Sequence, residues 1–104
     1  MSNRDLAGRT IRFEYESETY QVEVLDSTSL RWVQLKGPDE GKGATETYVQ
    51  SQLSEETTLV TWVEADGLGL SNALNFTDMT VTTHANMGRE VFVNTGVLVE
   101  IAMS

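Results

Sequence analysis

From Thr10 to Glu16 apolar and polar residues alternate, with Ile11, Phe13 and Tyr15 on one face and Arg12, Glu14 and Glu16 on the other. Side chains two apart on an extended chain point the same way, so this period predicts a half-buried strand. Ser17-Glu18 turns the chain, and Thr19 to Leu25 returns with Tyr20, Val22 and Val24 opposed to Gln21 and Glu23, completing a first hairpin. After the turn residues Asp26-Ser27-Thr28-Ser29, the run from Leu30 to Lys36 sets Leu30 and Trp32 against Arg31, while Val33 and Leu35 give its second face apolar character too. Gly37 to Gly43 contains the only proline and reads as an exposed loop. Ala44 to Leu53 predicts a fourth strand, with Glu46, Tyr48 and Gln50 on one face and Thr45, Thr47 and Val49 on the other.

Beyond Ser54-Glu55-Glu56, the run from Thr57 to Ala65 predicts a fifth strand. Asp66-Gly67 then forms a tight turn, because Gly accepts the positive φ that such a turn needs and Asp tolerates it. Leu68, Leu70, Asn72, Leu74 and Phe76 share one face of the next strand, with Asn72 as the polar interruption. Thr77-Asp78 leads into Met79 to Ala85, and Asn86-Met87-Gly88 turns the chain into a long last strand. There Val91, Val93, Val97, Val99 and Ile101 form one row around Thr95, while Phe92, Leu98 and Ala102 on the other face are expected to pack against a partner or the terminal segment. About eight strands with short connections predict an all-β fold, an antiparallel up-and-down barrel that leaves no open edge. A barrel of that size encloses side chains or one small ligand.

The 104 residues suit a single domain spanning 1–104. With no cysteine, disulfides, thiolate metal ligation and thiol catalysis are excluded. Sixteen acidic against seven basic residues give a formal net charge of −9, which repels phosphate backbones and argues against a nucleic-acid partner. Neither Met1-Ser2-Asn3-Arg4-Asp5-Leu6 nor any later stretch has the apolar run of a signal peptide or membrane span, so a cytoplasmic protein without membrane contact is expected. Asn75-Phe76-Thr77 fits the glycosylation sequon, which matters only in a secreted chain.

The fifth strand poses the functional question. If Trp62 points into the core, Glu64 points the same way, and an inward carboxylate is costly unless it is paired, hydrated or used. The opposite parity puts Val63 inside and leaves Glu64 in solvent. Tyr15, Tyr20, Tyr48, Glu46, Asn72 and Lys42 stand on apolar strand faces or near strand ends, the pattern of a mostly apolar pocket with a few orienting groups. The alternative is a filled core capped by tyrosine hydroxyls, with the acids outside. His84 is the only histidine, which rules out a multi-histidine metal centre, and it reads as a surface residue. No Gly-x-Ser-x-Gly elbow occurs, and the glycines around Lys42 lack the spacing of a phosphate loop.

The run Gly8-Arg9-Thr10-Ile11-Arg12-Phe13-Glu14-Tyr15, with Trp62-Val63-Glu64 and Leu74-Asn75-Phe76, resembles the N-terminal part of phenolic acid decarboxylases. Ala44-Thr45-Glu46-Thr47-Tyr48 and Trp62-Val63-Glu64-Ala65-Asp66-Gly67 are more closely similar to the small MoaF-like domains related to them. Both groups are calycin, or lipocalin-like, barrels. The decarboxylases use two tyrosines of the first strand, an arginine after the third strand and a glutamate that follows a tryptophan. Here Tyr15 matches the second tyrosine and Glu64 the glutamate, whereas Phe13 stands at the first tyrosine position and Lys42 at the arginine position. The resemblance implies a calycin-type barrel, and with the polar groups on its strand faces the expectation is one that binds a small, partly apolar molecule, aromatic or carboxylate-bearing, without cofactor or metal. Glu64 and Tyr15 are the catalytic candidates, and Phe13, Tyr20, Lys42, Glu46, Tyr48, Trp62 and Asn72 the expected ligand-binding residues. A cofactor-independent lyase or isomerase is the enzymatic alternative. The structural alternative is a homodimeric interaction module using a second apolar face of Val33, Leu35, Phe92 and Leu98.

Overall fold

The computed structural model describes residues 6–103. Met1 to Asp5, part of the stretch read above for a signal peptide, and the side chain of Ala102 lie outside the described residues. Eight strands follow one another: β1 (Arg9–Glu14), β2 (Thr19–Val24), β3 (Ser29–Lys36), β4 (Gly43–Gln52), β5 (Thr57–Val63), β6 (Gly69–Asn75), β7 (Thr80–Met87) and β8 (Glu90–Met103). Each pairs antiparallel with the next, and β8 pairs back onto β1, which closes an up-and-down barrel. The described residues contain no helix long and apolar enough to cross a membrane.

Two long strands make closure work. β8 pairs with β7 from Glu90 to Val97 and with β1 from Val97 to Met103. Likewise β4 pairs with β3 from Gly43 to Thr47 and with β5 from Tyr48 to Gln52. Each of these strands carries a glycine at a close backbone approach, Gly96 where β8 passes from β7 to β1 and Gly43 where β4 begins beside β3. A Cβ on Gly96 would collide with the Glu14 carbonyl oxygen and stand 2.9 Å from the Tyr15 ring; one on Gly43 would collide with the Trp32 carbonyl oxygen.

The alternation read from β1, β2, β5 and β6 points as predicted. Ile11 and Phe13, Val22 and Val24, Val60 and Trp62, and Asn72 and Leu74 are buried, and Val63 is exposed. β8 is the exception. Its valine row faces outward, with Val91, Val93 and Val97 each more than half exposed, while Leu98 is 2% exposed in the core. Pairing decides this: Leu98 lies opposite Phe13 and Phe92 opposite Ala85, and residues directly opposed across two strands share a face. Phe13 is buried, so Leu98 is inside and the valines, whose branched side chains suit a pleated surface whichever way it faces, are outside. The four residues expected to form a second apolar face are divided: Val33 and Leu35 are on the outward side of β3, Leu98 is in the core, and Phe92 is 56% exposed at the rim. The last hairpin is also displaced from its predicted turn. Asn86 and Met87 stay paired, opposite Val91 and Glu90, and the reversal falls on Gly88, which supplies the positive φ of 59°, and Arg89.

Candidate functional site

In an up-and-down barrel alternate connections lie at the same end, and here the two ends differ. At one end Leu6, Leu30, Leu74, Val81 and Leu98 are almost wholly buried, with Met79 packed against them. At the other, where the β1–β2, β3–β4, β5–β6 and β7–β8 connections gather, the interior is hollow. The cavity has a volume of about 410 Å³. Its walls are largely aromatic, from Phe13, Tyr15, Tyr20, Trp32, Trp62 and the rim residue Phe92. Four carboxylates line it as well: Glu18, Asp39, Glu64 and Asp66. No Lys, Arg or His is among the described residues that line it.

A polar chain crosses the cavity floor. Thr83 Oγ1 donates to Asn72 Oδ1 at 2.8 Å, and Asn72 Nδ2 donates to the Val60 carbonyl at 3.1 Å. A hydroxyl has one proton, and Thr83 gives its own to an amide oxygen that can only accept. The very short contact between Tyr15 and Thr83 therefore has Tyr15 as donor. Tyr15 thus meets the cavity with an oxygen whose proton is engaged, so it offers a ligand an acceptor. Burial pushes its pKa up to about 12 and fixes it as a neutral phenol at ordinary pH.

Tyr20 is engaged in the same way. Its hydroxyl donates to Glu18 Oε1 at 3.0 Å and accepts from Gln34 Nε2 at 2.8 Å. Gln34, 2% exposed, accepts the backbone N–H of Asp39 and so ties the β3–β4 loop to the wall. Burial and then the bond to Glu18 push Tyr20 up to about 12.

Both tryptophans give their indole N–H to a carboxylate. Trp62 Nε1 donates to Glu64 Oε2 at 3.2 Å, and Trp32 Nε1 to Glu46 Oε2 at 3.0 Å. Glu64 sits where β5 enters its turn: its N–H donates to the Leu68 carbonyl at 2.8 Å, and Gly67 takes the predicted positive φ, of 94°. Asp66 Oδ1 caps the same turn by accepting from Leu68 N at 3.0 Å. Partial burial raises the Glu64 pKa, the Trp62 bond opposes that rise, and the charges of Glu46 and Asp66 add to it.

Of the residues singled out by sequence, the cavity brings together Phe13, Tyr15, Tyr20, Trp62, Glu64 and Asn72. Glu46 stands beside it as the Trp32 partner. Tyr48 belongs to the packed end instead: it is 2% exposed, and its hydroxyl donates to the Asp26 carbonyl at 2.8 Å. Lys42 is not among the lining residues: it stands on the β3–β4 loop, which is tied back to Gln34, and its ammonium lies 3.2 Å from Oδ1 of Asp39, a carboxylate of the cavity rim. Sequence reasoning missed Thr83, Gln34 and Trp32 as wall residues. Thr83 had a detectable signal, since it lies two residues along its strand from the inward Val81, but a threonine among threonines hides that parity.

Residues 7–98 match the MoaF-like family. No curated protein matches the chain. Among solved structures the barrel is similar to the crystal structure of "a putative beta-lactamase from Burkholderia vietnamiensis", with a TM-score of 0.88 and 20% sequence identity over 97% of this chain and 99% of that one. At that identity the likeness is one of fold, and it agrees with the closed barrel found here. The match over nearly the whole chain places the protein in the MoaF-like family.

Proposed function

We propose that the protein is a small-molecule-binding barrel whose ligand enters at the hollow end and lies against the aromatic walls beside Glu64. The observation that carries this reading is the cavity itself. A core of this size would ordinarily be close-packed, and about 410 Å³ lies within the range of cavities that hold small ligands. The polar groups around it are already held in place by protein partners, as Tyr15 is by Thr83 and Tyr20 by Glu18 and Gln34, so a ligand meets a preorganised wall.

The lyase alternative draws support from Glu64, a half-buried carboxyl with a raised pKa at the edge of an aromatic cavity, which is suited to exchanging a proton. A carboxylate-bearing substrate, however, would need a cationic grip, and no Lys, Arg or His is among the described residues that line the cavity, while Lys42 is already paired with Asp39 at the rim. Binding without turnover is the reading the geometry supports best.

The test is an NMR fragment screen on the wild type and on Ala85→Trp, which fills the cavity from its wall. Amide shifts confined to cavity residues in the wild type and absent in the variant are expected. A wild type that no fragment shifts at those residues would remove the binding reading.

A further inference from the structure

We infer that the ligand of this cavity is a small organic monocation, an ammonium group carried on an apolar body, with Glu64 as its principal counter-charge. The inference rests on the binding reading above and names the chemistry of its ligand. Three observations carry it.

The first is an uncompensated charge in a defined place. The charge of Glu46 is felt at Glu64, Asp66 adds a third, and among the described residues the side-chain donors to the first two are the indole N–H groups of Trp62 and Trp32. Of the described basic side chains in ion pairs, Arg9 is held by Glu100 and Arg31 by Glu23, away from the cavity, and Lys42 is held at the rim by Asp39, so none of them is paired with Glu64 or Glu46. A partly desolvated carboxylate without a cation is unfavourable, and an incoming cation relieves that cost.

The second is the wall. Tyr20 packs edge-on to both Tyr15 and Trp32, with ring centroids 6.2 Å and 6.1 Å apart. Indole and phenol faces attract cations through their quadrupoles, and they repel anions. Tyr15 reinforces this choice, because with its proton committed to Thr83 it can receive an ammonium N–H but has no second proton for a carboxylate.

The third separates an organic cation from a metal ion. The described residues include no group of three or more His, Cys, Asp or Glu side chains placed to hold a metal. A bare divalent ion would have to exchange its water for aromatic carbon, whereas an alkylammonium buries its apolar part against the rings and keeps its charge on the carboxylate.

Three probes of one shape and different charge test the inference: 2-phenylethylammonium, 2-phenylethanol and 3-phenylpropanoate, titrated calorimetrically and by tryptophan fluorescence at neutral pH into wild type and Glu64→Gln. The expected order is ammonium over alcohol over carboxylate. Glu64→Gln should weaken the ammonium about tenfold or more, the worth of a charge-assisted contact, and leave the alcohol within about twofold. Alcohol or carboxylate binding as tightly as the ammonium, or an ammonium affinity indifferent to Glu64→Gln, overturns the cation assignment while leaving the binding reading standing. No binding of any probe at millimolar concentration, together with a silent fragment screen, overturns both.

Discussion

Trp62 and Glu64 lie two residues apart on one face of the chain, and the indole Nε1 of the first donates to Oε2 of the second at 3.2 Å. The contact joins the largest inward side chain of β5 to the most distinctive carboxylate at the cavity edge. It makes the indole both a wall and a support, and the two roles can be separated. Trp62→Phe keeps an aromatic wall and removes the N–H. Because that bond holds the Glu64 pKa down against burial, the variant should titrate at higher pH than wild type, read from the Glu64 carboxyl carbon by NMR. An unchanged titration would show that the bond does not form in solution. Trp62→Ala also removes the wall and should cost about 3–5 kcal/mol in urea denaturation, as for other buried large aromatics.

The Tyr15–Thr83–Asn72 chain makes a second prediction. Thr83→Val is nearly isosteric but leaves the Asn72 amide oxygen and the Tyr15 hydroxyl without their partner. Unfolding free energy should fall by about 1–3 kcal/mol, the cost of leaving buried polar groups unsatisfied, and Thr83→Ser should recover most of it.

Which parts of this architecture could be read from the sequence follows from how each is specified. Strand positions and the shared face of Trp62 and Glu64 are local properties of period and turn chemistry, so Phe13, Val22 and Leu74 are legible as inward residues and Asp66-Gly67 as a turn, while which face of β5 is inward is settled only by its neighbours. The facing of β8 is not local. Its valine row is the more hydrophobic of the two, yet register against β1 places Leu98 opposite Phe13 and turns the valines out. The same limit explains Lys42 and Tyr48. Tyr48 stands on a plausible face, but whether its side chain reaches the hollow or the packed end depends on the stagger of neighbouring strands, and β4 changes neighbour at Tyr48 itself; Lys42 is placed by how its loop folds back on Gln34, which no local pattern specifies.

Gly96 tests the closure of the barrel. It lies on β8 where the strand reaches β1, and a methyl group there would collide with the Glu14 carbonyl and press the Tyr15 ring. Gly96→Ala should therefore destabilise by about 1–3 kcal/mol, as other overpacking changes do, although alanine is normally no worse than glycine in a strand. If the strain is relieved by moving Tyr15, probe affinity in the cavity should fall in parallel. A variant as stable as wild type would show that the approach of β8 to β1 is looser than described.

Two carboxylates should respond to pH in opposite senses, and the contrast isolates the cavity from the rest of the barrel. Glu100 receives both Nε and an Nη of Arg9, at 2.9 and 2.6 Å, across the β1–β8 seam, while Arg9 also lies 4.6 Å over the Phe76 ring. That bond holds the Glu100 pKa below the ordinary carboxylate range. A lowered folded-state value means stability that is present above the unfolded pKa and lost as pH falls through the folded one. Glu100→Gln should therefore cost about 1 kcal/mol at pH 7, near the upper end for a partly exposed pair, and progressively less in acid. Glu64 runs the other way. Burial, with Glu46 and Asp66 nearby, raises its folded-state pKa, so its stabilising contribution is complete below the unfolded pKa and disappears as pH rises through the folded value. Glu64→Gln should then gain stability relative to wild type between acid and neutral pH, measured by urea denaturation across that interval. A bound ammonium should cancel the gain, since it stabilises the ionised wild-type carboxylate and has little to hold in the amide. Parallel pH responses of the two variants would place Glu64 in ordinary solvent and remove it as the counter-charge of the cavity.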